Sequence, residues 1–521
     1  MAIKTTKYTN GGGDRDPTNA ANYNNGAPAT GDTVQYDNTE SDLSGATLPT
    51  AHTGNPTLNI EVLADYVQPL LSAFAASATL GATLLNSASA DILVQANAGT
   101  VTVTAGIVSQ DTSATVSYVL NGAGAALSLE AELTLTGTIT GSGGNVYVDS
   151  AVTLSTAFTT GAIVLNLDGE SEWIGDVTGN VTCYADTSGP RKITGDYNVS
   201  ATGTADWSID TEDFTVDGTF TRPAGGDLTG NAGGEMIVTG NCMLDGAGGT
   251  IANAHIRMKG TGTYTSAQQW LQGLVIDATS TSTVAAGPNY TTNLEVESGG
   301  TLAGGAAATI IARRPSANGV DIAGDCTCNL KITTIVNLAL SGRIATTETL
   351  TYDGRDDILA HSGVLDVGSM IIGREFTDNE YARWTATGAS FSADDVTLGV
   401  SSGTNRYGIL DVSGVIGAVT IGDLADVAGG SSALALGAKA VTIPASSTWD
   451  GTDIDSSASN LVTGDATSTL QDMDDPGAAV QVLGGIVDGT GNDANWVFPS
   501  DDAQPDDEKG GALRRSLQGA A

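Results

Sequence analysis

The stretch Val177-Thr178-Gly179-Asn180-Val181 sets a pattern: an aliphatic residue, any residue, glycine, a small polar residue, then alternating apolar and polar residues. The pattern returns along the chain as Ile193-Thr194-Gly195-Asp196-Tyr197, Val216-Asp217-Gly218-Thr219-Phe220, Val238-Thr239-Gly240-Asn241-Cys242, Ile322-Ala323-Gly324-Asp325-Cys326 and Leu340-Ser341-Gly342-Arg343-Ile344. Four of its glycines are Gly179, Gly195, Gly218 and Gly240, and the first interval is shorter than the two that follow. Intervals of this order are typical of proteins whose repeats, of about 20 to 30 residues, stack on one another.

The alternating runs predict short β-strands. Val101-Thr102-Val103-Thr104 and Ile163-Val164-Leu165-Asn166-Leu167 have the period of two and the β-branched residues of half-buried strands. One turn of such strands cannot bury its inward aliphatic row alone, but stacked turns form a continuous core. We therefore predict an all-β chain, a parallel β-solenoid with short capping segments and a β-sandwich module toward the C-terminus. A stack of antiparallel β-sandwiches would also give short strands with frequent turns, and the sequence leaves this alternative open.

Composition divides the chain into four segments. Residues 1–50 are polar and turn-rich and are predicted to cap the fold, and residues 51–370 carry the repeats. Residues 371–499 form a C-terminal β region that begins with an insert rich in charged and aromatic residues. Residues 500–521 are an acidic tail, predicted to be flexible, that ends in a basic peptide.

Charge excludes several classes of function. The chain has 20 Lys and Arg against 59 Asp and Glu, a net charge of −39, which would repel the phosphates of nucleic acids.

No run of about 20 apolar residues is present, so we predict no membrane insertion. Four cysteines are too few for a disulfide framework and are expected to be small buried apolar residues. The first residues lack the apolar region of a secretory signal peptide.

Two stretches resemble a known class of proteins. The segment Asn22-Tyr23-Asn24-Asn25-Gly26-Ala27-Pro28-Ala29-Thr30-Gly31-Asp32-Thr33-Val34 resembles the opening of β-helical surface proteins of bacteria and of bacteriophage virions. Residues 489–498 resemble the closing turn of such proteins. The resemblance implies a β-helical extracellular or virion-surface protein and no particular activity. The lack of a signal peptide favours the virion, because phage structural proteins assemble in the host cytoplasm.

These observations predict a non-enzymatic structural protein of a bacteriophage virion. It would be displayed on the particle surface beside other capsid or tail proteins, as a capsid decoration protein, head fibre or tail fibre. Analogy with phage fibres predicts a homotrimer, and Arg514 and Arg515 in the tail are predicted to anchor it to the particle. Two alternatives stay open, a polysaccharide-degrading tailspike on the same scaffold and a bacterial surface adhesin.

The candidate catalytic and metal-binding residues support no specific chemistry. Adjacent carboxylates such as Asp394 and Asp395 are expected to point to opposite faces of a strand, which makes them poor acid–base pairs. The acidic turn from Asp450 to Asp455 has Leu461 where an EF-hand requires glutamate. We therefore predict no catalytic residue, no cofactor and no metal site.

One local cluster is a candidate for ligand contact. Aromatic and arginine side chains that are exposed together are enriched at binding sites, so this cluster is predicted to contact a ligand such as a host-surface glycan. Its members are Arg374, Tyr381, Arg383 and Trp384.

Overall fold

The structure is a computed structural model that describes most of the repeat region. The described residues are 5–7, 20–26, 28–29, 32–36, 57–62, 70–74, 78–85, 92–96, 99–103, 107–109, 116–130, 133–135, 138–154, 157–168, 170–183, 191–208, 212–231, 233–245, 247–266, 270–304, 307–313, 320–334, 338–340, 343–354, 358–373, 382–399, 407–427, 432–456, 461–464, 467–471, 473, 481–482, 486–489, 492 and 496–497. They divide into two compact units, Met1–Arg257 and Met258–Ala521. This boundary falls inside the segment 51–370 that was predicted to carry the repeats.

The described residues of the first unit form parallel strands and a 3-10 helix at Ala20–Asn22. One set of paired strands is Thr5–Lys7, Thr33–Tyr36, Thr57–Val62, Leu70–Phe74, Ala78–Leu85, Ile92–Ala96, Gly99–Val103, Ile107–Ser109, Val116–Leu129, Ile139–Val148, Phe158–Leu167, Val177–Cys183, Tyr197–Asn198, Thr204–Asp206, Phe220–Arg222, Asp227–Thr229, Cys242–Leu244 and Ile251–Ala252. The other set is Leu133–Leu135, Ala151–Leu154, Glu172–Ile174, Arg191–Thr194, Phe214–Asp217, Met236–Val238 and His255–Met258, in which the unit boundary falls.

Parallel strands also form the second unit. One set is Thr261–Thr265, Thr281–Val284, Thr301–Ala303 and Asp325–Cys326. A longer set is Trp270–Ile276, Gly287–Val296, Ala308–Arg313, Val320–Ile322, Asn329–Thr334, Ile344–Gly354, Val364–Gly373, Ser390–Leu398, Val419–Asp426, Val441–Ile443, Thr448–Asp450, Val462–Gly464, Thr469–Gln471 and Val487–Asp488. A third sheet contains Leu338–Leu340, Ile358–His361, Ala382–Ala386, Gly408–Asp411, Ala433–Gly437 and Asp453–Ser456, and Gln481–Val482 pairs with Trp496–Val497.

The predicted parallel β-solenoid is confirmed by the strand pairing. In the first unit, the turn that contains Arg191–Thr194, Tyr197–Asn198 and Thr204–Asp206 stacks in parallel on the next turn. The β-sandwich module predicted toward the C-terminus stays unconfirmed, because the described strands beyond residue 371 also pair in parallel. Among the described residues, no helix has the length and apolar character of a membrane span.

Inward side chains form apolar columns in each unit. Along Val177–Cys183 buried and half-buried residues alternate, as the sequence predicted. Trp173, Ile193 and Val216 lie in register on three successive turns, and all are fully buried. In the second unit a column of the same kind runs through Leu359, Trp384, Leu410, Leu434 and Ile454. Full burial of each large apolar side chain contributes about 1.5–3 kcal/mol, so these columns stabilise the stacking of the turns.

A column of glycines marks one corner of the turns in the first unit. Gly175, Gly195, Gly218 and Gly240 follow one another on successive turns, at intervals that are nearly equal. A Cβ on Gly195 would lie 2.7 Å from the Gly175 carbonyl carbon, and one on Gly218 would clash with the Gly195 carbonyl oxygen. Only glycine allows the backbones to approach this closely.

The first glycine of this column differs from the one that the sequence pattern selected. Gly179, which gave the short first interval, lies within Val177–Cys183 and faces Thr160 of the preceding turn. The pattern of aliphatic residue, any residue and glycine also fits Trp173-Ile174-Gly175 if the aromatic residue is accepted in the apolar position. With this correction the turn length becomes nearly constant.

Residues 22–26, 28–29 and 32–34 are the described part of the segment that resembles the opening of β-helical proteins. Asn22, Tyr23 and Asp32 are buried. The Asp32 carboxylate accepts a hydrogen bond of 2.7 Å from the Ala29 amide, while the Asp32 amide donates to the Ala29 carbonyl. These contacts lead directly into the strand Thr33–Tyr36.

Candidate functional site

The structure describes only two members of the predicted ligand-contact cluster. Arg374 and Tyr381 lie outside the described residues, as do Arg514 and Arg515 in the tail. Trp384 is fully buried, with its ring centroid 5.9 Å from that of Tyr352 and 5.8 Å from that of His361. Trp384 therefore belongs to the apolar column of the second unit and presents no face to an external ligand.

Arg383, the neighbour of Trp384, points outward because successive residues of a strand alternate between faces. Its guanidinium donates a hydrogen bond to the carboxylate of Asp411 on the next turn. Burial of Asp411 opposes its ionisation, but hydrogen bonds from Ser413 and Arg383 lower the pKa of the carboxyl below its ordinary value. Arg383 thus joins two turns of the solenoid.

A charged column on the outer face of the first unit joins turns in the same way. Lys192 Nζ lies 3.3 Å from Glu172 Oε1 on the preceding turn and 3.1 Å from Asp217 Oδ2 on the following turn. Thr194 Oγ1 donates to Glu172 Oε1 at 2.6 Å, and Thr239 Oγ1 donates to Asp217 Oδ1 at 2.8 Å. The hydrogen bond from Thr194 is the main reason that the pKa of Glu172 is lowered, and the one from Thr239 is the main reason for the lowered pKa of Asp217.

We expect the double variant Thr194→Val/Thr239→Val to reduce stability at pH 7 by about 0.5–1 kcal/mol, because ionised carboxylates lose their hydroxyl donors. Because folding lowers the pKa values of Glu172 and Asp217, ionisation of these carboxyls stabilises the folded chain at any pH above their ordinary pKa values of 4.5 and 3.8. This stabilisation is lost as the pH falls through the lowered pKa values. Urea unfolding at pH 7 and at about pH 2.5 should show a smaller deficit at the lower pH. Thr215→Val on the same face is the control, and an equal deficit at both pH values would contradict this account.

Three carboxylates lie close together on the outer face of the second unit. Asp395 and Asp423 are register partners on successive turns, and Asp394 precedes Asp395 in the strand. Asp394 and Asp395 are both exposed, so the expectation that they point to opposite faces is wrong. The next turn has Gly422 opposite Asp394, and a Cβ on Gly422 would clash with the Asp394 carbonyl oxygen.

The stacking of these carboxylates affects their ionisation. Partial burial raises the pKa of Asp395, and the negative charges of Asp423 and then Asp394 raise it further. The Asp423 carboxylate accepts a hydrogen bond of 2.7 Å from the Thr448 amide. When one of two neighbouring carboxyl groups has a raised pKa, that group can act as an acid and the other as a base.

We expect Asp423→Asn to lower the pKa of Asp395 and to raise stability at pH 7 by at most about 0.5 kcal/mol. Because the pKa of Asp395 is raised by folding, the folded chain loses stability as the pH rises from 3.8 through that raised value. Asparagine keeps the acceptor for the Thr448 amide and removes only the charge. A carboxyl-carbon NMR titration of Asp395 measures the change, with Asp366→Asn as the control. An unchanged Asp395 titration would show that Asp423 is not the perturbing charge.

The acidic turn and the cysteines form no metal centre in the described part of the chain. Asp450 and Asp455 lie at the surface, and no group of three or more His, Cys, Asp or Glu side chains among the described residues is arranged to hold a metal ion. All four cysteines are free and buried, as predicted for small apolar residues, and the Sγ atoms of Cys326 and Cys328 are 3.7 Å apart.

An aromatic pair on the outer face of the second unit was missed in the sequence. Trp270 and Tyr290 are register partners on successive turns, with ring centroids 4.5 Å apart and an interplanar angle of 58°. Both are half-buried, and the buried neighbours Leu271 and Thr291 show that the two rings point outward. The guanidinium carbon of Arg313, which is exposed, lies 5.3 Å from the centre of the Trp270 ring. The separation of Trp270 and Tyr290 in the sequence is one turn, so the pair would have been found if the turn length had been known.

Buried polar groups hold the backbone beneath this pair. The Ser266 hydroxyl accepts a hydrogen bond from the Tyr290 amide, and Tyr264 Oη donates to the Tyr290 carbonyl at 3.1 Å. The Ser266 amide donates to Asn289 Oδ1 at 2.8 Å. Ser266, Tyr264 and Asn289 are all buried, so the position of Tyr290 is fixed by the core.

Comparison of the chain with protein-family models, with curated proteins and with solved structures gives no match.

Proposed function

We propose that the chain is a non-catalytic structural protein displayed as a homotrimer on the surface of a bacteriophage particle. The resemblance of residues 22–34 to the opening of β-helical virion proteins supports the location, and the parallel β-solenoid agrees with that resemblance. The net charge of −39 supports a role at an exposed surface, because like-charged copies stay soluble when they are crowded.

The use of outward carboxylates as connections between turns is the observation that carries the structural role. Asp176 Oδ1 accepts a hydrogen bond of 2.9 Å from the Asp196 amide, and Asp196 Oδ1 accepts one of 2.8 Å from the Thr219 amide. Each carboxylate thus holds the backbone of the following turn. Catalytic carboxylates, in contrast, converge on a substrate from two sides.

Labelling of intact particles tests this proposal. Antibodies raised against the purified chain should bind purified phage particles at regular positions, and electron microscopy should show the label in groups that match a trimer. Mass spectrometry of the same particles should detect the chain in a fixed ratio to the capsid protein. Absence of the chain from purified particles would contradict the proposal.

A polysaccharide-degrading role is the second candidate, and the register of Asp395 and Asp423 favours it. Retaining glycoside hydrolases use two carboxylates about 5 Å apart, and Asp395 and Asp423 are register partners on strands whose backbones lie about 4.8 Å apart. Incubation with host capsular polysaccharide and measurement of new reducing ends separates the two candidates. We expect no release, whereas release that is lost in the variants Asp395→Asn and Asp423→Asn would favour the second.

A further inference from the structure

The exposure of Trp270 sets it apart from the other tryptophans whose burial is described. Trp173, Trp207, Trp384 and Trp449 are all fully buried. Trp270 is half-buried on an outer face and lies against Tyr290, which is also half-buried. Aromatic side chains that are held rigidly with one part in solvent supply contact area at low entropic cost, which is why they are enriched at binding sites.

Two cations accompany the aromatic pair, although cations are scarce in this chain. Ile311 is the register partner of Tyr290, and Lys331 is the register partner of Ile311, so Lys331 continues the same outward column. Arg313 points outward two residues after Ile311, and its guanidinium lies over the Trp270 ring. Only 20 of the 521 residues are Lys or Arg, and two of them lie in or next to the outward column that contains the aromatic pair.

We infer that Trp270, Tyr290, Arg313 and Lys331 form a binding site for an acidic saccharide, one whose sugar rings carry carboxylates. The apolar faces of sugar rings pack against aromatic rings, and the carboxylate pairs with the guanidinium. A guanidinium stacked on an aromatic ring keeps its N–H groups at the edge, where they can bind a carboxylate through two parallel hydrogen bonds. The site goes beyond the proposed display function, and its presence does not depend on where the chain is located.

The rigidity of the support distinguishes this site from an ordinary surface cluster. Ser266 and Tyr264 hold the Tyr290 backbone from within the core, so the aromatic pair needs little reorganisation on binding.

The net charge of −39 repels an anionic saccharide at long range. This repulsion is screened at physiological salt, where the Debye length is about 8 Å, while contacts within the site persist.

Calorimetric titration of the full chain with uronate oligosaccharides tests the inference. The probes are oligogalacturonate, oligomeric alginate and hyaluronan oligosaccharides at physiological salt. We expect at least one of these oligosaccharides to bind. The methyl ester of its carboxyl groups should bind at least about tenfold more weakly. We expect Trp270→Ala and Arg313→Ala each to weaken binding by about tenfold or more, because each removes a central contact. Ligand should also protect the half-exposed Trp270 from fluorescence quenching by acrylamide, while the buried tryptophans are unaffected.

The control variant is Arg343→Ala, which removes another exposed arginine of the same unit, one that pairs with Asp325 at 3.0 Å. It should leave binding unchanged, and circular dichroism should show that all variants keep the parental fold. The inference is overturned if none of the three acidic probes binds, if the acid and its methyl ester bind equally, or if Arg313→Ala binds as tightly as the parent. These results concern only the binding site, because the location of the chain is tested separately by labelling of particles.

Discussion

Replacement of Gly195 by alanine is expected to destabilise the first unit by about 3 kcal/mol or more. Gly195 has a φ of +146°, a region that residues with a Cβ rarely adopt. The added Cβ would also lie 2.7 Å from the carbonyl carbon and oxygen of Gly175 on the preceding turn. Both penalties act on the backbone, so no side-chain rotation relieves them, and the turns on either side must separate.

Hydrogen–deuterium exchange over residues 172–245, together with urea unfolding, measures this effect. The matched control is Gly124→Ala, since a Cβ on Gly124 would meet no atom within 4 Å. The control should change stability by no more than about 0.5 kcal/mol. Equal behaviour of the two variants would show that the glycine column does not set the spacing of the turns.

Truncation of Trp384 to alanine should cost about 3–5 kcal/mol of stability in the second unit. The side chain is fully buried in the column between Leu359 and Leu410, and its ring contacts Tyr352 and His361. Alanine would leave a cavity that the register of the parallel strands prevents from collapsing. The loss therefore includes the transfer free energy of the indole and the free energy of the cavity.

Thermal unfolding and hydrogen exchange over residues 358–411 measure the loss. Thr385→Ala, one residue further along the strand on the outer face, is the control and should change stability by no more than about 0.5 kcal/mol. A small effect of Trp384→Ala would show that the indole leaves the core in solution. The ligand contact predicted from the sequence would then become tenable again.

The fold class could be predicted because it depends on local alternation. The run Val177–Cys183 shows the pattern of an inward and an outward row in the sequence itself. Stacking then follows, because a single turn cannot bury its inward row. The register could not be predicted in the same way, since Gly179 satisfies the glycine pattern as defined and Gly175 satisfies it only when Trp173 is accepted in the apolar position. Pairing with the next turn is what distinguishes the two glycines.

The candidate sites depend on that register, and this is why the sequence grouped Trp384 with Arg383 and missed the pair of Trp270 and Tyr290. Trp384 and Arg383 are neighbours in sequence, but alternation along the strand sends one into the core and the other outward. Trp270 and Tyr290 are distant in sequence and meet only because they occupy equivalent positions on successive turns. Asp395 and Asp423 are farther apart still along the chain and meet for the same reason.

The glycine column has a consequence for how the gene can change. Turns of unequal length stack with their glycines aligned, so the additional residues of the longer turns are absorbed in the connections between strands. Insertions and deletions in those connections would therefore be tolerated during evolution. The loss of one codon within a strand would instead turn every later inward side chain of that strand outward. Duplication of a whole turn avoids this problem, which makes it the simplest route by which such a gene grows.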